Sequence, residues 1–174
     1  MSDNKIIFAG PPGVGVTTAI KAISDIPPEI KKKKLVDDKG NTTTIEMDYG
    51  ILKLDSGDQI YLYGAPERVK LEHVRETLKQ GCIGLVLLIN NAEKDPVGTM
   101  LQYMEDCQFL VEKKGMAVGL TRYEDSPLPD INDFHIALRE KKHNIPVFSV
   151  DGHEKNDIIT IIRAMLYNLD SGVN

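Results

Sequence analysis

The sequence has few cysteines, no excess of positive charge and no long hydrophobic run, and each of these absences excludes a class of protein. Of its 174 residues only Cys82 and Cys107 are cysteines. They lack metal-ligand or redox spacing, so we expect two core thiols in a reducing compartment. The formal net charge of −5 excludes the basic surface typical of nucleic-acid binding. No apolar run approaches the roughly 18 residues that span a bilayer, so we expect no membrane insertion.

Arrangements typical of other catalytic classes are missing as well. The four histidines, at 73, 135, 143 and 153, share no spacing, and we expect them at the surface or at helix caps. No nucleophile–base pair and no cluster of metal ligands stands out. The short acidic N-terminus carries neither a signal-peptide nor a lipidation motif, which predicts a cytoplasmic protein.

One glycine-rich stretch does indicate a chemistry. The apolar strand at residues 6–8 leads through Gly10, Gly13 and Gly15 into a helical run, which is the order of a P-loop, G-x-x-x-x-G-K-[ST]. In that pattern backbone amides surround a phosphate and a Ser or Thr hydroxyl reaches Mg²⁺. The candidate nucleotide-binding residues of the stretch are Gly10, Gly13, Val14, Gly15, Val16, Thr17 and Thr18, with Thr17 as the metal ligand.

Val16 stands where the pattern has lysine. Removing one partner of a buried charged pair costs about 3–5 kcal/mol. Such a cost lowers affinity by about a hundredfold or more. The sequence therefore predicts a phosphate cradle without its cation. The alternative is a glycine turn that merely links a strand to a helix.

The rest of the chain alternates between strands and helices. Two β-rich runs, 45–54 and 59–63, flank an Asp-Ser-Gly-Asp turn and predict an antiparallel hairpin. The near-continuous apolar runs at 83–89, 116–120 and 145–150 are typical of buried parallel strands. Residues 29–42 are polar, rich in lysine and without periodicity, so we expect a loop there.

Helices are predicted between and after these strands. The first should end near Ser24, because prolines follow. Asp95 and Asp130 are candidate N-caps, and Leu101, Met104, Cys107 and Val111 form one apolar face after Asp95. A last helix is expected over 157–169. This alternation predicts one three-layer α/β domain over residues 1–174. Ligands should bind where strands end, among the loops 10–17, 25–44, 64–72, 121–126 and 149–153.

Several segments together resemble the Ras-like small GTPases, above all the bacterial branch that includes the gliding-motility type and related ATP/GTP-binding proteins. The resemblance covers residues 4–168. It is carried by Lys5–Gly10, Thr42–Gly50, Leu62–Pro66, Val118–Arg122 and Pro146–Asp151. It implies a P-loop NTPase or Ras-like G domain whose mostly parallel, six-stranded sheet has one antiparallel strand and helices on both faces. GTP or GDP with Mg²⁺ would be the ligands.

The same resemblance implies roles for further residues. Base recognition would fall to Thr121, Arg122 and Glu124, with Asp125 as an alternative to Glu124. The implied switch residues are Thr43, Thr44, Gly64, Glu67 and Arg68. Thr44 (or Thr43, one alignment step away) would be a second Mg²⁺ ligand.

The chain departs from this family at several of those positions besides Val16. Glu67 and Arg68 replace a Gly-Gln pair, and arginine cannot both donate to and accept from an attacking water as glutamine does. Glu124 replaces an aspartate and is one methylene longer. Gly64 replaces the aspartate of most Ras relatives but is shared with the bacterial branch.

The departures predict a pseudo-GTPase that binds and hydrolyses GTP weakly or not at all and acts through protein contacts. One alternative is a GTP switch with slow hydrolysis, dependent on a partner or on Arg68 as a substitute cation. Another is a nucleotide-independent structural subunit. The resemblance further implies a protein partner, a roadblock-fold dimer, at the switch face formed by residues 29–44 and 66–76.

Overall fold

A seven-stranded sheet lies at the centre of the computed structural model, which describes residues 4–66, 79–113 and 115–170. Its strand order is β2-β3-β4-β1-β5-β6-β7. The strands are β1 (Lys5–Ala9), β2 (Glu29–Val36), β3 (Thr42–Lys53), β4 (Gln59–Gly64), β5 (Cys82–Asn90), β6 (Met116–Thr121) and β7 (Val147–Ser149). The pairings of β3 with β2 and β4 are antiparallel and the other pairings are parallel, so β3 alone runs against the rest.

Helices cover both faces of the sheet and complete three layers. Within the described part of the chain they are α1 (Val16–Ile23), α2 (Pro96–Asp106), α3 (Gln108–Val111), α4 (Ile131–Glu140) and α5 (Lys155–Asp170). Helices α1 and α5 pack on one face, and α2, α3 and α4 pack on the other. None of the described helices is long and apolar enough to cross a membrane.

The central strands contribute side chains to two hydrophobic cores, one on each face of the sheet. Along β1 the side chains alternate, so that Ile6 and Phe8 join the core under α1 and α5 while Ile7 joins the opposite one. Residues 85–89 of β5 are at most 1% exposed, as expected of a parallel strand buried on both faces. The predicted three-layer architecture is thereby confirmed.

Two predicted helix starts are confirmed by their caps. The Asp95 carboxylate accepts a hydrogen bond from the Gly98 amide at 3.0 Å, and Pro96 occupies the first turn. Asp130 forms a reciprocal capping box with Asp133. The apolar face predicted beyond Asp95 is divided between α2 and α3, which meet at Cys107.

The expectation of a loop over residues 29–42 is wrong. Residues 29–36 form β2, which pairs antiparallel with β3 from Glu29 opposite Tyr49 to Val36 opposite Thr42. As an edge strand that is exposed over nearly its whole length, β2 buries neither face and so shows no hydrophobic alternation. The sheet consequently has seven strands instead of the six predicted, and the expected single antiparallel strand is β3.

The two cysteines differ in environment. Cys107 is buried, in agreement with the predicted core thiol, whereas Cys82 is half-buried at the start of β5. Burial raises the pKa of the Cys82 thiol to about 11. The thiol is therefore protonated, and weakly reactive, at neutral pH.

Candidate nucleotide site

A cavity of about 560 Å³ opens where β1, β6 and β7 end. Three loops line it: the glycine loop after β1, residues 121–125 after β6 and residues 149–154 around the end of β7. Carboxyl ends of strands in open α/β sheets are where ligands bind. Three of the five loops selected from the sequence therefore meet at one cavity.

The glycine loop adopts the backbone conformation that its sequence requires. Gly13 and Gly15 have φ angles of 78° and 109°, in the left-handed region that residues with a side chain rarely enter. The Val14 amide donates to the Pro11 carbonyl at 3.1 Å, which closes a turn within the loop. A Cβ on Gly10 would collide with the carbonyl oxygen of Leu88, so glycine is needed there for close packing against β5.

The glycine loop leads directly into α1, and Gly15 is the N-cap of that helix. The first helical hydrogen bond runs from the Ala19 amide to the Gly15 carbonyl at 3.0 Å. Amides at residues 16–18 precede that bond, and a helix start of this kind attracts anions through its free N–H groups and its dipole. The backbone of a phosphate cradle is therefore present.

Val16 does not line this cavity. Its side chain is 8% exposed and belongs to the core under α1 and α5. Its Cγ1 atom lies 3.0 Å from the position that a Cβ on Gly64 would take. At the position where the motif has a phosphate-binding lysine, the side chain here is uncharged and belongs to the core.

Thr17 and Thr18 differ in position. The Thr17 hydroxyl donates to a carboxylate oxygen of Asp48 on β3 at 2.7 Å, whereas Thr18 lines the cavity. A hydroxyl and a carboxylate are oxygen donors of the kind that Mg²⁺ prefers, so the pair fits the cation implied by the resemblance. Nothing in the sequence pattern of β3 marks Asp48 as the partner of the loop, so this contact is visible in the structure alone.

Residues 121–125 form the second wall. The Thr121 hydroxyl donates to the Ile89 carbonyl at 3.3 Å, and Arg122 has a φ angle of 55°, which is uncommon for a residue with a side chain. Glu124 and Asp125 both line the cavity, so the geometry leaves both as candidates for base recognition. The buried Asn91 side chain donates to the carbonyls of Ser126 and Pro129 at 2.7 and 2.9 Å and ties the end of this loop to β5.

The third wall is held by short hydrogen bonds around Asp151. Its amide donates to the Asp157 carboxylate at 2.9 Å, and its own carboxylate accepts from the His153 amide at 2.9 Å. The bond from the His153 amide, with a second one between the His153 ring Nδ1 and the same oxygen at 3.0 Å, holds the pKa of the Asp151 carboxyl below its usual value. A Cβ on Gly152 would lie 3.8 Å from the Gly15 carbonyl oxygen, so this loop lies against the glycine loop.

The cavity lining is predominantly acidic. Its described basic residues are Arg122 and His153, and its carboxylates are Glu124, Asp125, Asp151, Glu154 and Asp157. The side chains that line the cavity therefore carry more negative than positive charge.

The structure brings together most, but not all, of the residues expected at the site. Gly13, Val14, Gly15, Thr18, Thr121, Arg122 and Glu124 line the cavity. Thr43 and Thr44 lie in β3 opposite Leu35 and Lys34 of β2, apart from the cavity lining, and their switch and metal roles stay predictions. Gly64 ends β4 beside Val16 and Asp48. Glu67 and Arg68 fall outside the described residues.

Sequence reasoning also missed part of the lining. Tyr123, Asp151, His153 and Asp157 were not named as site residues, although the loop 149–153 was selected. The Tyr123 hydroxyl accepts a hydrogen bond from the Ile131 amide at 3.3 Å. A hydrogen bond of this kind between a tyrosine hydroxyl and a helix start has no sequence pattern that would predict it.

Comparison with known proteins identifies structural relatives but no sequence family. No family model matches the chain, and no curated protein matches it. Among solved structures, the cytosolic domain of the T. maritima FeoB iron transporter in its GMPPNP form aligns with a TM-score of 0.62 and 19% identity, covering 91% of this chain and 62% of that one. A GDP-bound variant of S. thermophilus NFeoB aligns with a TM-score of 0.67 and 12% identity, covering 99% and 64%.

A second crystal form of the T. maritima domain with GDP aligns with a TM-score of 0.63 and 16% identity, covering 98% and 65%. The chain thus spans slightly less than two thirds of the length of these structures. At such identities the likeness shows the fold alone. That fold is a three-layer α/β architecture with a mostly parallel sheet, as predicted, and it is shared with these FeoB cytosolic domains.

Proposed function

We propose that this chain is a degenerate Ras-like small G protein, a pseudo-GTPase that binds guanine nucleotide weakly or not at all and acts as a regulatory, protein-interaction module. The observation that carries the proposal is the burial of Val16 beside Gly64, where the motif has a lysine. A lysine at this place would supply a point charge to the β- and γ-phosphates. With valine, the phosphate end of the cavity relies on backbone amides.

The electrostatics of the cavity support the same conclusion. Five carboxylates line it against Arg122 and His153. Because like charges repel within a Debye length of about 8 Å at physiological salt, this lining opposes a triphosphate. The cavity has the shape of a nucleotide site and lacks the charge of one.

The direct test is to look for nucleotide in the purified protein. Protein prepared without added nucleotide is denatured, and the supernatant is separated by anion exchange. We expect no stoichiometric GDP or GTP, and in a titration with GDP and Mg²⁺ we expect saturation well above micromolar ligand. Stoichiometric guanine nucleotide together with turnover would contradict the proposal. An absence of binding at millimolar GDP would favour the nucleotide-independent structural subunit.

A second candidate, a GTP switch with slow hydrolysis, is supported by the glycine loop. Gly13 and Gly15 keep the left-handed conformation of a phosphate cradle, and the cavity beside them is open. In this case Arg68 or a partner residue would supply the missing charge. Arg68→Ala should then abolish GTP hydrolysis in a single-turnover assay, and unchanged turnover would remove Arg68 from the mechanism.

The proposed partner is a protein that contacts the switch face, for which the resemblance suggests a roadblock-fold dimer in the cytoplasm. Residues 29–44 and Pro66 are the described part of that face, and residues 31–34 of β2 are four consecutive exposed lysines. Charge reversal of Lys33 and Lys34 to Glu should weaken binding to a purified roadblock-fold dimer in size-exclusion chromatography. The same change at Lys141, which follows α4 on another part of the surface, is the control.

A further inference from the structure

The wall loop, residues 122–129, carries most of the second wall of the cavity and is held by a buried side chain that follows β5. That residue, Asn91, is 1% exposed. Its Nδ2 atom donates to the Ser126 carbonyl at 2.7 Å and to the Pro129 carbonyl at 2.9 Å. Its backbone amide donates to the Thr121 carbonyl at 3.0 Å. Asn91 therefore bonds to the residue before the wall loop and to two residues within it.

The other bonds of the wall loop do not join it to the sheet. The Ser126 amide donates to the Arg122 carbonyl at 3.0 Å, and the Tyr123 hydroxyl accepts the Ile131 amide of α4 at 3.3 Å. The Tyr123 ring also packs against the core on the face of α2, α3 and α4. Among the described residues, Asn91 provides the remaining hydrogen bonds to the wall loop. The position of the wall loop relative to β5 therefore depends on this one side chain.

The bonding pattern fixes the orientation of the Asn91 amide. A carboxamide nitrogen has two donor hydrogens, and here each of them has a carbonyl acceptor. The Oδ1 atom is buried and has no hydrogen-bond partner among the described residues. A buried acceptor without a partner costs stability, so the two donor bonds have to offset that cost. The side chain thus contributes through the loop carbonyls that it holds.

We propose that Asn91 is a positioning residue for the candidate site. It sets where Arg122, Tyr123, Glu124 and Asp125 lie relative to the glycine loop, and thereby which ligands can contact both. Asn91 is not among the described residues that line the cavity, so it acts through the wall loop. The inference rests on the proposed nucleotide site, where the resemblance implies base recognition by this wall.

This role predicts which ligands depend on Asn91. GDP has a base that extends beyond its phosphates, whereas pyrophosphate consists of the phosphate groups alone. A displaced wall loop should weaken the binding of GDP and leave that of pyrophosphate unchanged, because Gly10 packs the glycine loop directly on β5. If Asn91 merely supports the fold as a whole, its replacement should weaken both ligands equally.

The test is Asn91→Asp, which keeps the size of the side chain and replaces the amide nitrogen by a carboxylate oxygen. That oxygen repels the carbonyls of Ser126 and Pro129. We expect deuterium uptake over residues 122–129 to become about tenfold faster, while the amides of β5 and β6 stay protected, because the loop opens locally. By isothermal titration, GDP affinity should fall about tenfold and pyrophosphate affinity should stay within about twofold of the unmodified protein.

Asn90→Asp is the matched control. The Oδ1 atom of Asn90 accepts the Ala92 amide at 2.9 Å, a bond that aspartate can also make. The variant therefore introduces the same charge one residue earlier and leaves the bonds to the wall loop in place. It should change neither the deuterium uptake nor the two affinities. Asn91→Ala removes the donor bonds without adding a charge, and it should act in the same direction as Asn91→Asp even if the aspartate variant fails to fold.

Two results would overturn the inference: unchanged deuterium uptake over the wall loop in the Asn91 variants, or equal losses of GDP and pyrophosphate affinity. The outcomes also separate it from the proposed function. No GDP binding by the unmodified protein at millimolar ligand would overturn the positioning role and leave the pseudo-GTPase proposal standing. Co-purified nucleotide with turnover would overturn the pseudo-GTPase proposal, and the ratio of the two affinity changes would still decide the role of Asn91.

Discussion

The two ends of the cavity differ in what they retain. At the phosphate end the glycine loop keeps its left-handed residues and its helix start, while the loop from residue 10 to residue 18 contains no charged side chain. On the other two walls the side chains are strongly charged, with Glu124 and Asp125 on one wall and Asp151 on the other. The glycine loop presents backbone groups to the cavity, whereas the other two walls present charged side chains.

This difference shows that the backbone conformation and the charge of the site depend on different features of the sequence. The loop backbone is fixed by the fold, because Gly10 packs against β5 and Gly15 begins α1. A charge, by contrast, depends on one side chain and disappears with one substitution. The backbone of the glycine loop can therefore be kept when a charged side chain in it is replaced.

The largest expected effect comes from giving the phosphate end a charge. Val16→Lys should raise GDP affinity by about tenfold or more, because a cation at the loop compensates both the phosphate and Asp48. The measurement is a titration with GDP and Mg²⁺. Val16→Met, which is long but uncharged, is the control, and an equal gain with Met would contradict the electrostatic explanation. No gain would mean that the loop is closed to phosphate.

A smaller effect is expected from distorting the loop backbone. Gly15→Ala forces a residue with a side chain to a φ angle of 109° and should cost about 1–2 kcal/mol of stability. For a chain of this size that corresponds to a fall in Tm of roughly 2–8 °C by differential scanning calorimetry. Gly152→Ala is the control across the cavity, because its Cβ would meet nothing closer than 3.8 Å. A similar fall in both variants would show that the strain is not in the loop.

At the base end we expect a modest change in selectivity. Glu124→Asp shortens the carboxylate by one methylene and should raise affinity for GDP over ADP by about threefold, the equivalent of part of one hydrogen bond. Competition between the two nucleotides measures it. Asp125→Asn tests the neighbouring carboxylate, and a loss of guanine preference in that variant alone would assign base recognition to Asp125.

The smallest effect concerns acid stability at Asp151. Since hydrogen bonds from His153 lower the pKa of this carboxyl in the folded state, its contribution is present above the unfolded pKa and is lost as pH falls through the folded pKa. Asp151→Asn should therefore lower Tm slightly near neutral pH and not below about pH 3. Solvent exposure keeps the difference small. A difference in Tm that persists in acid would assign it to another cause.

The sequence predicted those parts of the fold that bury apolar side chains in a regular pattern. Strands β5 and β6 and the caps at Asp95 and Asp130 were all visible, because burial on two faces and capping leave local signals. Strand β2 left none: backbone pairing with β3 holds it, and its lysines are those of a solvated surface. Edge strands of this kind are defined by their neighbour.

The candidate site was predictable where it depends on backbone conformation and less so where it depends on contacts between distant residues. The glycines at 13 and 15 predicted the turn before α1. Asp48, which lies 31 residues from Thr17 in sequence, could be found only once β3 had been placed beside the helix. The alternation of strands and helices predicted the loops that meet, and three-dimensional packing determined the partners within them.

The two borders of the sheet have a consequence for how the molecule behaves at high concentration. One border, β7, is three residues long, and the other, β2, presents four adjacent ammonium groups. Stacking two copies border to border through β2 would bring eight such groups together, of which Lys31 and Lys32 of each copy are paired with Glu29 and Glu46. We therefore expect the protein to resist β-sheet polymerisation at neutral pH and low salt, and to lose that protection if the lysines are acetylated.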